Sequence, residues 1–432
     1  MSGANLAIRA PNLFSVKAGV TPANPLCWKN MNSRLDSLHP YPFEKLRRLL
    51  ADTQAPEGLT PIDLSIGEPK HPTPPLVIDT MKAALDGLAS YPPTKGSPEL
   101  RRVMAEWIGR RYHMPAPDPD MQVLPVQGSR EALFAFAQVV VDAGPEAVVI
   151  CPNPFYQIYE GAGLLAGAQI WYLNSDAQRD HGYDWDAIPE NVLQKCQLLY
   201  VCSPGNPTGK VLDMEDWRKL FELSDRHDFV IAADECYSEI YFDEAAPPLG
   251  ALEAAWQLGR QDFRRLISFS SLSKRSSLPG LRSGYVAGDA SLLERFLLYR
   301  TYHGSAMSLV TAKASVAAWS DEAHVVENRQ MYRSKLDAVL PLLASALDVP
   351  KPQAAFFLWA GTPYDDTAFV RDLYAATGVT TLPGSFLARE AHGINPGRQR
   401  IRIALVAPQA QCEEAARRIV EFCSSSSFRN PK

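Results

Sequence analysis

The 432-residue sequence predicts an α/β fold built on a largely parallel sheet, and three features carry that reading. Apolar runs of strand length recur at Ala147–Cys151, Gln169–Leu173, Leu198–Cys202, Phe229–Ala233 and Leu266–Phe269. Helical periodicity fills the gaps between them, as in Arg130–Val141 and Met214–Arg226. The length exceeds the ~100–200 residues typical of one domain, so more than one domain is expected. Short, continuously apolar strands separated by helices imply a sheet covered on both faces. Such a sheet presents its ligand at the carboxyl ends of its strands, so chemistry is to be sought just after each run.

The flanks read differently. Pro69–Pro75 (Pro-Lys-His-Pro-Thr-Pro-Pro) reads as a hinge between an N-terminal segment and the sheet domain. After about residue 310 a long helical stretch leads to the strand Phe356–Ala360, a helix near Thr367–Thr377, the strand Arg400–Val406 and a last helix near Gln409–Cys423. The expected organisation is a flexible extension over 1–30 and an N-terminal segment over 31–75 packing with the small domain. A large domain follows over 76–310, then a smaller α+β domain over 311–432. The first thirty residues lack a basic start, an apolar core and a small-residue cleavage site, so no secretory signal is expected.

Hydrophobic residues make up 46% and charged residues 21%, which excludes a disordered or collagen-like chain. The net charge of −5 comes without a long block of either sign, so small-molecule partners are expected and nucleic acid is not. No apolar run reaches the ~18 residues of a membrane span. Seven cysteines, none in CxxC spacing, read as reduced thiols of a cytoplasmic protein. The histidines and cysteines form no metal-ligand spacing.

Two glycine patterns are decoys. Gly161-Ala-Gly163-Leu-Leu-Ala-Gly167 has one residue too many for a dinucleotide fingerprint and precedes a strand, so it reads as a close-packed helix surface. Gly205-Asn-Pro-Thr-Gly209-Lys210 is too short for a nucleotide-binding P-loop, and Val211 replaces the required hydroxyl residue.

Five short segments at strand ends carry more. They are Gly128-Ser129-Arg130-Glu131, Ser203-Pro-Gly-Asn206-Pro-Thr-Gly209, Asp234-Glu-Cys-Tyr237, Ser270-Ser271-Leu-Ser273-Lys274 and Pro279-Gly-Leu-Arg282-Ser-Gly284-Tyr285. Each alone reads as a turn or a surface charge; together on one sheet edge they suit electron-sink chemistry on an amine. A desolvated lysine can form a Schiff base with an aldehyde cofactor. A carboxylate such as Asp234 can keep a pyridine nitrogen protonated, and Tyr237 and Asn206 can hold a ring oxygen. A phosphate handle needs helix-start amides, hydroxyls and an arginine fork, which Gly128–Arg130, Ser271, Ser273 and Arg282 can supply.

These segments resemble those of the class I/II aminotransferases, fold type I enzymes that use pyridoxal 5′-phosphate. The likeness runs from Leu64-Ser-Ile-Gly67-Glu-Pro69 to Arg402. The resemblance implies a large domain with a mostly parallel, mixed sheet sandwiched by helices, plus a smaller α+β domain. It implies catalytic roles for Lys274, Asp234 and Tyr237: Lys274 as the internal aldimine lysine, Asp234 as pyridinium partner, and Tyr237 with Asn206 on the ring oxygen. Tyr156 would stack on the ring, and Ser129, Arg130, Ser271, Ser273 and Arg282 would surround the phosphate. Tyr91 would reach the phosphate of a neighbouring subunit in a homodimer with shared active sites. Arg402, assisted by the Gly67 backbone and Asn206, would take the substrate α-carboxylate.

Three stretches narrow the resemblance: Asp63–Pro74, Ser273–Gly284 and Pro40-Tyr-Pro-Phe-Glu-Lys45. They look like those of bacterial N-succinyl-LL-2,6-diaminopimelate aminotransferases of lysine biosynthesis. That subgroup implies glutamate as amino donor and a succinylated keto acid as acceptor, with Arg34, Lys70 and, from the partner subunit, Lys95 as candidates for distal carboxylates. The competing readings are an aspartate, aromatic or LL-diaminopimelate aminotransferase, a carbon–sulfur lyase on the same fold, and a non-enzymatic effector-binding regulator.

Overall fold

The computed structural model describes residues 32–425, so the expected extension over 1–30 lies outside them. Seven strands form the central sheet: β1 (Val123–Val126), β2 (Val148–Asn153), β3 (Gln169–Asn174), β4 (Cys196–Cys202), β5 (Val230–Asp234), β6 (Leu266–Ser271) and β7 (Gly284–Gly288). Their order is β1-β7-β6-β5-β4-β2-β3, with β7 antiparallel to both neighbours and the remaining pairs parallel. Burial follows from side-chain alternation. Ile150, Leu199, Val201, Ile231 and Ala233 enter the core on one face, whereas Val149, Leu198, Tyr200 and Ala232 enter that on the other. Both faces are therefore apolar, as the continuous runs required.

The first decoy is a packing surface. The helix Ile158–Ala166 lies against the sheet through Gly163, where a Cβ would stand 2.6 Å from Ile170 and 3.2 Å from Val149.

A second core joins the two ends of the chain. Strands Leu382–Pro383, Arg400–Ala404 and Phe357–Gly361 pair antiparallel in that order, and Arg402 stands opposite Trp359 and Leu382. Leu46, Ile62 and Leu64 from the N-terminal segment pack there with Leu358, Ile401 and Ile403. Ile62 and Asp63 also pair in parallel with Val379 and Thr380.

The boundary expected at residue 310 needs correction. The helix Leu309–Ser320 packs in the large core through Ala312, Ala314, Ala318 and Trp319, against the helices Pro75–Ala83 and Pro98–Arg111. Its small alanine side chains allow that close approach, and after residue 310 the first residue in the second core is Leu336. Among the described residues no helix is long and apolar enough to cross a membrane. None of their His, Cys, Asp and Glu residues gather in a group that could hold a metal ion.

Candidate active site

At the carboxyl ends of the parallel strands lies a cavity of about 510 Å³. Six of the seven strands, all but the edge strand β3, deliver residues to it. Strand β5 ends in Asp234, and the turn after it places Cys236 and Tyr237 in the wall. Strand β6 ends in Ser271, whose Oγ accepts the Ser273 amide at 3.0 Å and so caps the short helix Leu272–Arg275 that carries Lys274. Strand β7 runs the other way, so its first residue, Gly284, pairs with Ser271 and brings Arg282 to the same edge. Tyr156 follows β2, Asn206 follows β4, and Ser129 and Arg130 open the helix after β1. Gly67 and Arg402 enter from the second core.

Lys274 sits at the centre. Its Nζ donates to the Gly67 carbonyl at 2.5 Å and lies 5.9 Å from the Tyr237 ring and 5.5 Å from that of Phe356. Burial lowers its pKa to about 8, and the charges of Arg402 and Arg130 act in the same direction. Near neutral pH a usable fraction of the amine is then unprotonated and nucleophilic.

Asp234 is buried, which pushes its pKa up. Its Oδ2 accepts from the Tyr159 hydroxyl at 2.6 Å and its Oδ1 from the Cys236 amide at 3.3 Å. A cationic N–H brought beside it would favour the charged carboxylate.

Arg402 is also buried. Its Nη1 donates to Asn206 Oδ1 at 2.9 Å and its Nη2 to the Ser65 carbonyl at 2.7 Å, while the guanidinium lies over Phe357 at 4.5 Å. Burial lowers its pKa to about 10. Its Nε is buried without a hydrogen-bond partner among the described residues, a costly state that an anionic ligand at this guanidinium relieves. Gly67 packs on the same Phe357: a Cβ there would stand 2.7 Å from the ring.

Hydroxyls and a helix start gather at the other end. Ser271 Oγ and Ser273 Oγ are 2.9 Å apart, and Ser129 Oγ accepts from Cys236 Sγ at 2.9 Å. The helix Ser129–Val140 has no side-chain cap, which leaves its first-turn amides for an anion. Gly128 adopts φ +84°, and a Cβ there would lie 2.4 Å from Arg282 Nη2. Arg130 Nε donates to the Tyr156 hydroxyl at 2.6 Å.

Four cations, Arg130, Lys274, Arg282 and Arg402, face two carboxylates, Glu68 and Asp234, so the cavity suits an anionic ligand. The cradle at Gly128 and the orphaned Arg402 Nε fit a ligand with anionic groups at both ends, and the amine stands between them.

Sequence reasoning passed over several lining residues. Tyr41, Phe43, Gln157 and Leu387 belong to the wall, and Tyr159 supports Asp234 from behind it. Tyr159 stands three residues after Tyr156, in the first turn of the helix Ile158–Ala166 that follows it, and that nearness was the available signal. Tyr91 is fully exposed and outside this cavity.

The three distal-carboxylate candidates are elsewhere. Arg34 packs where a Gly167 Cβ would be, Lys95 lies 3.8 Å from Asp120, and Lys70 is exposed with its charge bearing on Lys335. Long cationic stems go where packing and acidic partners lead them, and within one chain that takes Arg34 and Lys70 away from the cavity, whereas Lys95 is a candidate for the partner subunit's site.

A mixed, helix-covered sheet with a buried lysine, a carboxylate and an anion cradle at its carboxyl edge defines a pyridoxal-phosphate enzyme of fold type I. Residues 60–419 match the family model described as aminotransferase class I and II. An LL-diaminopimelate aminotransferase of Dehalococcoides mccartyi is 30% identical over 404 residues, covering 92% of this chain and 100% of the relative. One from Nitratidesulfovibrio vulgaris is 32% identical, covering 90% and 98%. A solved aminotransferase of Neisseria meningitidis is 51% identical with a TM-score of 0.88, covering 90% and 99%. This chain belongs to the class I and II aminotransferases: it is a transaminase that uses pyridoxal 5′-phosphate, an amino donor and a keto acid.

Proposed function

We propose that the chain transfers the amino group of glutamate to a diaminopimelate-type keto acid, N-succinyl-2-amino-6-ketopimelate, in bacterial lysine biosynthesis. The observation that carries this reading is the likeness of Asp63–Pro74, Ser273–Gly284 and Pro40–Lys45 to the succinyl-diaminopimelate subgroup, each of which contributes to the cavity wall. A second reading, an LL-diaminopimelate aminotransferase, is favoured by the names of the relatives at 30–32% identity.

Bound pyridoxal 5′-phosphate supplies an aldehyde and a protonatable ring that accepts the electron pair left when the substrate α-carbon loses its proton. Ser129, Arg130, Ser271, Ser273, Arg282 and the uncapped helix start would hold the phosphate. Asp234, held by Tyr159, would offer a carboxylate to the ring nitrogen, while Tyr237 and Asn206 would serve the ring oxygen and Tyr156 the ring. Arg402 forms a bidentate pair with the α-carboxylate in both half-reactions. Lys274 Nζ, with its depressed pKa, takes the α-proton and returns it on the other side of the transfer.

Tyr91 serves the neighbour in a homodimer; its full exposure, with Leu85 and Leu88 also exposed nearby, supports a surface that a second copy covers. A cytoplasmic setting agrees with the free thiols of Cys151, Cys196, Cys202, Cys236 and Cys412.

Steady-state kinetics with glutamate and either N-succinyl-2-amino-6-ketopimelate or oxaloacetate, and with LL-diaminopimelate and 2-oxoglutarate, test the substrate. The succinylated acceptor is expected to lead in kcat/KM by at least about tenfold, some 1.4 kcal/mol of transition-state binding. A tenfold lead for LL-diaminopimelate establishes the second reading, and one for oxaloacetate removes both.

A further inference from the structure

Beneath Lys274, residues that none of the roles above uses form a continuous chain of hydrogen bonds. The helix Leu272–Arg275 ends beneath Lys274, and Asn328 Nδ2 donates to the carbonyls of Lys274 at 3.2 Å and Arg275 at 3.1 Å. Helix-end carbonyls need such partners. Asn328 Oδ1 lies 2.7 Å from His71 Nδ1, and His71 Nε2 lies 2.7 Å from Lys335 Nζ. The ammonium of Lys335 completes its three donors on the carbonyls of Leu405 and Val406, both at 3.3 Å. Those carbonyls follow the strand that holds Arg402, and His71 follows Gly67 by four residues.

The donors and acceptors fix the protonation. Lys335 can only donate, so His71 Nε2 accepts and its Nδ1–H donates to Asn328: the imidazole is neutral. A second proton on His71 would set two cations 2.7 Å apart, and burial lowers the two pKa values to about 4 for His71 and about 8 for Lys335. Lys70 and Cys412 bear on Lys335, Tyr332 packs on both, and no carboxylate lies within ion-pair distance among the described residues.

We infer that His71 and Lys335 are positioning residues whose relay through Asn328 holds Lys274 in register with Arg402. The chain ties together, from behind, three pieces that the Lys274–Gly67 and Arg402–Ser65 bonds join at the cavity: the lysine's helix, the segment that presents Gly67, and the edge of the arginine's strand. A substrate gripped by Arg402 meets Lys274 correctly only if these pieces keep one spacing, and a misplacement of about 1 Å can cost about 10²-fold in rate. The inference rests on the transaminase reading for its kinetics alone.

The test uses H71F/K335M, which replaces the buried polar pair by apolar groups of similar size and so preserves the packing. In the cofactor-free protein, the pH dependence of Lys274 labelling by an amine-reactive acylating reagent, read by peptide mass spectrometry, reports the lysine independently of substrate. The labelling midpoint is expected to rise by about one pH unit as the Gly67 segment loosens, and kcat/KM with glutamate to fall at least about tenfold, mainly in kcat. An unchanged midpoint with wild-type kcat/KM in the folded variant overturns the inference. A shifted midpoint supports it even if glutamate proves a poor donor. Should the double variant not fold, H71Q, which retains an acceptor for Lys335 and releases only Asn328, is measured the same way; an unmoved midpoint there also overturns it.

Discussion

Gly128 shows how one residue without a side chain shapes a site. Its backbone, at φ +84° and ψ 156°, lies in a region open essentially to glycine alone. The space that a Cβ would take belongs to the Arg282 guanidinium. Gly128→Ala therefore imposes about 1–3 kcal/mol of backbone strain and displaces the arginine. Affinity for pyridoxal 5′-phosphate, measured by titration of the cofactor-free protein, is expected to fall at least about tenfold. Wild-type affinity in G128A would show that Arg282 does not serve the phosphate. Lys274 and Asp234 were legible in the sequence because each sits in a short motif just where an apolar strand ends, and Arg402 through the family resemblance of Arg400–Ala404. Tyr159 was not, because its bond to Asp234 spans 75 residues and only the packed sheet brings the two together.

Among elements, the loop 384–392 couples the second core to the large domain. Arg389 donates through Nε at 2.8 Å and Nη2 at 2.6 Å to the buried Glu160, and its amide donates to Asn153 Oδ1 at 3.0 Å. Phe155 N donates to the Leu387 carbonyl at 3.0 Å, which keeps Leu387 in the cavity wall next to Tyr156. Removing one member of a buried pair strands the other charge at a cost of about 3–5 kcal/mol. Denaturant unfolding of R389A should show a loss of that size, and amide exchange should quicken first across 387–392. A loss under about 1 kcal/mol would mean that the backbone bonds alone hold the loop.

The strands β2–β6 were readable because each is a continuous apolar run with turns at its ends. Strands β1 and β7 were not: β1 has four residues and includes Pro125, while β7 is short and bounded by Gly284 and Gly288. Their pairing is decided by partners far along the chain, and local pattern holds no trace of it. The helix Leu309–Ser320 was assigned to the wrong domain for the same reason, since its alanine-rich surface suits either core.

At the scale of the whole molecule, the cavity draws on both cores, and the proposed homodimer adds a residue from a second chain. Mixing K274A with Y91A subunits tests that addition. In a hybrid dimer one site lacks the lysine, whereas the other pairs an intact Lys274 with the intact Tyr91 of the K274A chain. Activity above that of either parent is expected after subunit exchange. If the mixture stays at the sum of its parents, or sedimentation shows a fully active monomer, the shared site is refuted.

The central claim is transamination at Lys274. It is tested most directly by one half-reaction: pyridoxal-phosphate-loaded protein receives excess glutamate without an acceptor, and the keto acid and ammonia released are counted. The account predicts about one 2-oxoglutarate per subunit, no free ammonia, a matching change in the cofactor's visible absorbance, and none of these in K274A. Continuous release of ammonia, as from a lyase or a deaminating enzyme, or an undiminished response in K274A, would contradict it.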